Sequence, residues 1–336
     1  MAATTNVRLN IIEWSKHFHR GKVIPDVALL AQDNQMVMDI PFVECNDGTT
    51  HLYSLTTKLP TVSKTRFGGG TPESKSGRAQ ERENCVMISG FSSVEEKMSK
   101  VGGSAGQVMA KEDVNFAEAM KQGFAQALLY GNRTSDVDDI NGFATRYSSL
   151  TGTKSANVFS CAGASANAQT SIYGVNWGPD VYGIFPEGLT AGYQRNFLGR
   201  NVTTLANGNR LVELNTEHNW NFGLVIEHWA SAGRICNIQT ADAQALTNNQ
   251  APTSFANILH KMTLLLQRLN RRPGKKVLYA NDTVHALMMR LGLEKSSNGF
   301  TVREAVTQFG TFEELRYLNT PIRRSDRILL TEGVVS

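Results

Sequence analysis

Long apolar runs are missing. No stretch of the 336 residues approaches the ~18 consecutive apolar side chains that a membrane-spanning helix needs. Residues 1–14 have neither the basic start nor the apolar stretch of a secretion signal. Cysteine is scarce: Cys45, Cys85, Cys161 and Cys236 lie far apart and form no CxxC pair. That spacing argues against a zinc ribbon or a redox dithiol. These absences predict a soluble protein made inside a cell, with no membrane partner and four reduced, mostly buried thiols. Excess charge is small too, with 34 Lys and Arg against 30 Asp and Glu, a net +4. That balance lacks the basic stripe of a dedicated nucleic-acid binder. Neither GxxxxGK[ST] nor GxGxxG occurs, so nucleotide binding has no support.

What is present suffices for a core. Apolar residues make up 41% and charged residues 19%, which argues against a disordered chain. At about 150 residues per domain the length predicts roughly two domains.

Residues 1–40 read as an N-terminal arm of two short helices, the first with Leu9, Ile12 and Trp14. The second carries Val23, Val27, Leu30 and Val37, with Pro25 in its first turn and Gly21 as the break. Each is near or below the ~12–15 residues at which an isolated helix is marginal in water, so both need a surface to lie on. Residues 41–88 read as an extended hairpin. The alternating run 49–59 predicts one strand and 79–89 its antiparallel return. Between them, 60–77 is rich in glycine and proline, with Val62 and Phe67 its sizeable apolar side chains. Such a ribbon has no covered face and is stable only when draped over another surface.

A long helix is predicted over 107–130, where Val114, Ala117, Met120, Phe124 and Leu128 recur at helical steps and Gly131 stops it. From 170 to 240 the period changes to 2. SIYGVNW and VYGIFP flank a Gly178-Pro179-Asp180 turn and predict a hairpin, and 209–238 has two further alternating runs. The reading is an antiparallel sheet with one face covered by the long helix. The peripheral unit is thus 89–240. A compact α+β unit over 241–326 follows, with a helix through Phe255, Leu265 and Leu269, a strand at 276–280 and a helix after Asn281 or Asp282. A terminal strand covers 327–336.

This order of parts resembles the major capsid proteins of tailed bacteriophages, the Hong Kong 97 type of shell subunit. The phrases that carry the likeness are DIPFVECNDGTTHLYSLTTKLPTVSKTRFGGG, NFAEAMKQGFAQALLYGN, INGFATRYSSL and SIYGVNWGPDVYGIFPEGLTAGYQRNFLG. They look most like the short-tailed-phage branch. The resemblance implies an α+β fold with N-terminal arm, extended loop, spine helix on an antiparallel sheet, and apical α+β domain. It also implies self-assembly of hexamers and pentamers into an icosahedral shell around double-stranded DNA. A separate scaffolding protein and a portal are the implied partners, with the presence of a cement protein left open and no long N-terminal propeptide removed. The virion is the implied location, after assembly in the host bacterial cytoplasm. Because 170–238 precedes the compact unit, the chain path is expected to be a reordered version of the fold.

Catalytic, metal-binding and cofactor-binding residues are not expected. Gly102-Gly103-Ser104-Ala105-Gly106 fits GxSxG, and a serine hydrolase using Ser104 is the alternative reading. That motif needs a strand before it and a helix after it, and residues 93–101 do not read as a buried strand. Another phage structural protein, such as a tail-tube or cement protein, is the third reading. His17 and His19 stand at i and i+2, which do not face each other on a helix. Asp136-Val137-Asp138-Asp139 starts like a calcium loop but has Tyr147 at the twelfth position and Asn141 at the sixth. A polar turn after the long helix is expected there instead. The candidate subunit contacts are Lys58, Lys64, Arg66, Phe67, Lys75, Arg78, Arg271 and Arg272. Subunit pairing ranks above contact with DNA for Lys64, Arg66 and Arg78. Candidate hinges are Gly68, Gly69, Gly70, Gly102, Gly103 and Gly106.

Overall fold

A computed structural model describes residues 18–19, 22–23, 35–99, 105–152, 154–204, 208–241, 255–269, 271–293, 299–307 and 310–336. Most of the expected helical arm lies outside these residues, as do Gly102, Gly103 and Ser104. Where the arm is described it departs from the helical reading: β1 (Phe18–His19) pairs antiparallel with β2 (Lys22–Val23). Val23, expected in a helix, is therefore in a strand. Residues 35–38 form a single 3-10 turn.

The long helix α1 runs Ala105–Tyr130, begins two residues earlier than expected and takes Gly106 into its first turn. Its 26 residues span about 39 Å at 1.5 Å each. Met120, Phe124, Ala125, Leu128 and Leu129 are buried, a stripe at three- and four-residue spacing. Val114, expected on that stripe, is 67% exposed; the apolar contact begins two residues later, at Phe116, which stacks on His218. Gly131 follows the helix as expected, its N–H closing the last turn on Ala127 O.

The helix lies on a five-stranded sheet whose axis is β11 (Arg210–Ile226). As far as Phe222, β11 pairs with β10 (Gly192–Thr204) on one edge and β6 (Val86–Glu95) on the other. Its last four residues pair with β9 (Val181–Phe185), which holds β3 (Phe42–Glu44) in parallel. Phe124 stacks on Trp220 with centroids 4.8 Å apart and meets Phe222 edge-on at 4.6 Å.

The second sheet has seven strands, in the order β14 (Phe300–Thr307), β15 (Gly310–Tyr317), β16 (Thr320–Arg324), β13 (Lys275–Ala280), β8 (Gln169–Trp177), β12 (Ala232–Gln239) and β7 (Val158–Ser160). Helices α2 (Phe255–Leu269) and α3 (Asp282–Leu293) pack against it. Ile258, Met262, Leu265, Leu266 and Leu269 form the buried face of α2. Gly174 and Gly233 are cross-strand partners. A Cβ on either would stand 2.7 or 2.6 Å from Leu265. The two glycines make the dip into which that leucine fits.

Three corrections to the sequence reading follow from these pairings. The predicted hairpin over 171–186 keeps its turn, closed by Gly178 N–H to Val181 O at 3.0 Å, but not its pairing. Trp177 pairs with Lys275 and Val181 with Ile226, so β8 and β9 part into different sheets. The boundary at 240/241 falls inside the seven-stranded sheet, because β7, β8 and β12 precede it. Placing all of 170–238 in one sheet was the premise for a reordered chain path, and that premise is lost. Finally, 327–336 forms no strand. β8 already has β12 on one edge and β13 on the other, so the tail meets it past the end of β13, in one bridge from Glu332 to Gln169.

The tail is held by side chains instead. Arg234 donates to Glu332 at 2.9 Å, and Tyr173 donates to the same carboxylate at 3.2 Å; Tyr130 and Ser171 also donate to it. Asn237 pairs with the backbone of Val335 in both directions.

Candidate functional site

Strand β4 (Thr50–Lys58) pairs antiparallel with β5 (Gly77–Asn84), as the alternation predicts. The return strand is shorter than expected. At Cys85 the chain changes partner, and 86–88 belong to β6 in the five-stranded sheet, not to the hairpin. Together with β3 at 42–44, this narrows the projecting part of 41–88 to about 45–85.

Burial fades from root to tip. His51 and Tyr53 are buried, Leu55 is half-buried, and residues 56–76 are exposed throughout. At the root Asn46 exchanges two hydrogen bonds with Leu52, each 2.8 Å. Tyr182 on β9 donates to Glu227 at 2.6 Å and accepts from His51 Nε2 at 3.0 Å. Arg146, from the single turn of helix Phe143–Arg146, reaches Glu83 at 2.7 Å. Burial works against the Arg146 charge, but the Glu83 carboxylate outweighs it and the pKa is raised. Burial, then Glu83, also pushes the Tyr53 phenol up. These groups fix the direction in which the ribbon leaves the body.

The tip is different in kind. Gly68 and Gly70 have φ of +82° and +56°, where a side chain is strained, and Gly69 N–H closes a turn on Arg66 O at 3.0 Å. Phe67 is 108% exposed, Val62 95% and Leu59 78%. Lys58, Lys64, Arg66, Lys75 and Arg78 are exposed and form no ion pair among the described residues. A phenylalanine and five cations around a glycine turn thus stand in solvent.

Arg271 and Arg272 fall on the turn after α2, far in the chain from the ribbon. Arg271 is exposed, but Arg272 is engaged within the chain, 3.4 Å from Asp180. It braces the Gly178–Asp180 turn instead of standing free.

The other motifs read as structure. The Asp136 stretch forms polar turns after α1. Residues 96–99, ahead of the GxSxG match, are a single helical turn, not the strand that a nucleophile elbow needs. No metal-binding group of three His, Cys, Asp or Glu occurs among the described residues, and no described helix is long and apolar enough to cross a membrane. A cleft beneath the ribbon's root, lined by Leu55, Arg146 and Trp229, holds about 80 Å³. Small-molecule sites run ~300–1,000 Å³.

Two features of the fold escape sequence reasoning. One is the pairing of Arg146 with Glu83 across 63 residues. The other is the burial of His218, completely enclosed between Phe116 at 4.7 Å and Tyr193 at 5.9 Å. The alternation around His218 marks it as a sheet residue but not which face of β11 the helix covers.

A profile of the family described as "Major capsid protein GP7" matches residues 19–336. Comparison with curated proteins gave no match. Among solved structures the chain is similar to one of bacteriophage Epsilon15, at 22% identity and a TM-score of 0.74, covering 100% of this chain and 99% of that one. Weaker likenesses are to the capsid of bacteriophage JBD30 (8% identity, TM-score 0.48, 89% and 92% covered) and to the SrpI encapsulin of Synechococcus elongatus (11%, 0.45, 74% and 99%). The mixed α+β architecture matches the Hong Kong 97-like capsid fold. Ribbon, spine helix and both sheets all lie within the matched span, and the chain belongs to the major capsid protein GP7 family, the proteins that build phage head shells.

Proposed function

We propose that the hairpin of residues 45–85 is the element by which one copy grips the next, and that the exposed tip finds its covered face only on a neighbouring subunit. The observation that carries this is the exposure of Leu59, Val62 and Phe67 on a ribbon whose root is rigidly docked. Each such contact is modest, and burying apolar area between chains supplies stability that the lone ribbon lacks. Lys64, Arg66 and Arg78 set register by charge, since complementary charges govern specificity and encounter more than affinity. Gly68 to Gly70, and Gly102 and Gly103, act as the joints that let one chain sit in five- and six-fold surroundings; Gly106, taken into the first turn of α1, is not one of them.

The shell so built is icosahedral, encloses double-stranded DNA and touches it without reading bases. A scaffolding protein sets its size, and a portal completes it. Assembly takes place in the host bacterial cytoplasm. The chain acts by geometry and performs no catalysis. Negative-stain microscopy of the concentrated full chain tests this: closed shells or five- and six-membered rings are expected, and a strictly monomeric protein at every concentration contradicts it.

A further inference from the structure

We propose that Cys45 and Cys85 are a modification site, an oxidisable thiol pair whose disulfide clamps the root of the hairpin. Their sulfurs stand 3.2 Å apart although 40 residues separate them in the chain. Cys45 is buried and Cys85 half-buried. The backbone fixes both. Cys45 N–H donates to Phe185 O at 2.9 Å, at the end of β9, and Cys85 N–H donates to Thr49 O at 3.0 Å, extending the hairpin ladder. Both thiols sit in one apolar cluster with Tyr53, Tyr182, Ile184 and Val225. A bond between them closes a loop that contains the whole projecting ribbon.

The other two cysteines are placed differently. Cys161, just past the end of β7, donates its N–H to Cys236 O on β12, but the Cys236 thiol points at Phe159 O, 3.6 Å away. They serve as an internal control.

The reaction is thiol–disulfide exchange with a low-molecular-weight disulfide such as oxidised glutathione. The Cys85 thiol loses its proton to solvent and attacks one glutathione sulfur, releasing the first glutathione thiolate. Cys45, likewise deprotonated, attacks the Cys85 sulfur of the mixed disulfide and expels the second. The protein loses two electrons and two protons, and oxidised glutathione becomes two molecules of reduced glutathione. Burial raises both thiol pKa values, so thiolate is scarce at neutral pH. The rate then rises about tenfold per pH unit while the thiols stay protonated. A reducing cytoplasm keeps the pair as thiols, and oxidation follows exposure to an oxidising medium.

The test uses the full chain, treated with oxidised glutathione at pH 8.5, alkylated, and nicked briefly with trypsin at the exposed tip cations. On a denaturing gel without reductant the nicked chain should run as one full-length band, and with reductant as two fragments. Cys45→Ser and Cys85→Ser should each give two fragments in both lanes. Fragments that separate without reductant from the oxidised wild type overturn the proposal, as does a linkage mapped through Cys161 or Cys236. If neither serine variant folds, the wild-type comparison with and without reductant decides alone. Oxidation should also slow amide exchange across β4 and β5, and unchanged exchange overturns the clamp. The readout is the covalent state of one chain, so it does not depend on the assembly role proposed for the tip.

Discussion

Arg146 and Glu83 meet at 2.7 Å with side chains only 10% and 14% exposed, and this ion pair joins the projecting ribbon to the body beside the buried His51–Tyr182 hydrogen bond. Breaking such a pair leaves an uncompensated charge out of water, which costs about 3–5 kcal/mol when burial is deep. Arg146→Ala is expected to lower stability by about 3 kcal/mol, read from urea unfolding. Amide exchange at β4 and β5 should rise well above that at β13. A loss under about 0.5 kcal/mol, the size of an ordinary surface change, would show that the pair is incidental.

Two phenylalanines separate what the chain needs for folding from what it needs for assembly. Phe124 is fully buried between Trp220 and Phe222, so Phe124→Ala should cost about 3–5 kcal/mol. Phe67 is fully exposed in its own chain, so Phe67→Ala should change monomer stability by less than about 0.5 kcal/mol while reducing shell yield. Equal effects of the two on monomer stability would sink the distinction.

Acid should destabilise the monomer before the carboxylates titrate. Burial lowers the His218 pKa; Asp113, 3.6 Å away, opposes that shift, and Arg195 adds to it. On unfolding the ring returns to about 6.5, so the unfolded chain takes up the proton first. The contribution is fully present above that value and is lost as pH falls towards the depressed folded pKa. His228, lowered by burial and by Arg272, acts in the same direction. The slope is at most about 1.4 kcal/mol per pH unit for each histidine. Urea midpoints at pH 7.5, 6.5 and 5.5 should therefore fall, and fall less in His218→Phe; a flat wild-type profile contradicts the assignment.

The tip cations should act on encounter more than on folding. Reversing Lys64 and Arg66 to Glu leaves the monomer as stable as the wild type, within about 0.5 kcal/mol. It should slow assembly followed by light scattering and weaken the dependence of the rate on salt. Unaltered kinetics at low ionic strength would remove these residues from the contact.

The elements were more legible in the sequence than their partners. The helical stripe Met120–Phe124–Leu128 and the glycine-rich tip at 68–70 carry local physics, a 3.6-residue period and a φ preference, and both appear where expected. Partner choice does not. SIYGVNW and VYGIFP alternate around a good turn, yet Trp177 goes to Lys275 on β13 and Val181 to Ile226 on β11, because pairing across a turn competes with edges formed far away in the chain. The change of partner at Cys85 is silent for the same reason, since 79–89 keeps an extended pattern through the break. Cys45 and Cys85 look unrelated until the hairpin ladder brings them together. For the candidate contacts, exposure at 58–78 followed from composition, whereas the Arg272–Asp180 brace depended on where a distant turn came to rest.

The central claim is that the ribbon's outer half is dispensable for folding and required for the lattice. Lys58 and Gly77 are paired at the end of the ladder, so residues 59–76 can be replaced by a two-residue Asn-Gly turn that closes the same two strands. Electron microscopy of this variant beside the full chain is the most direct measurement. The account predicts a soluble monomer with an unchanged unfolding midpoint and no closed particles, and normal shells from the shortened chain would contradict it.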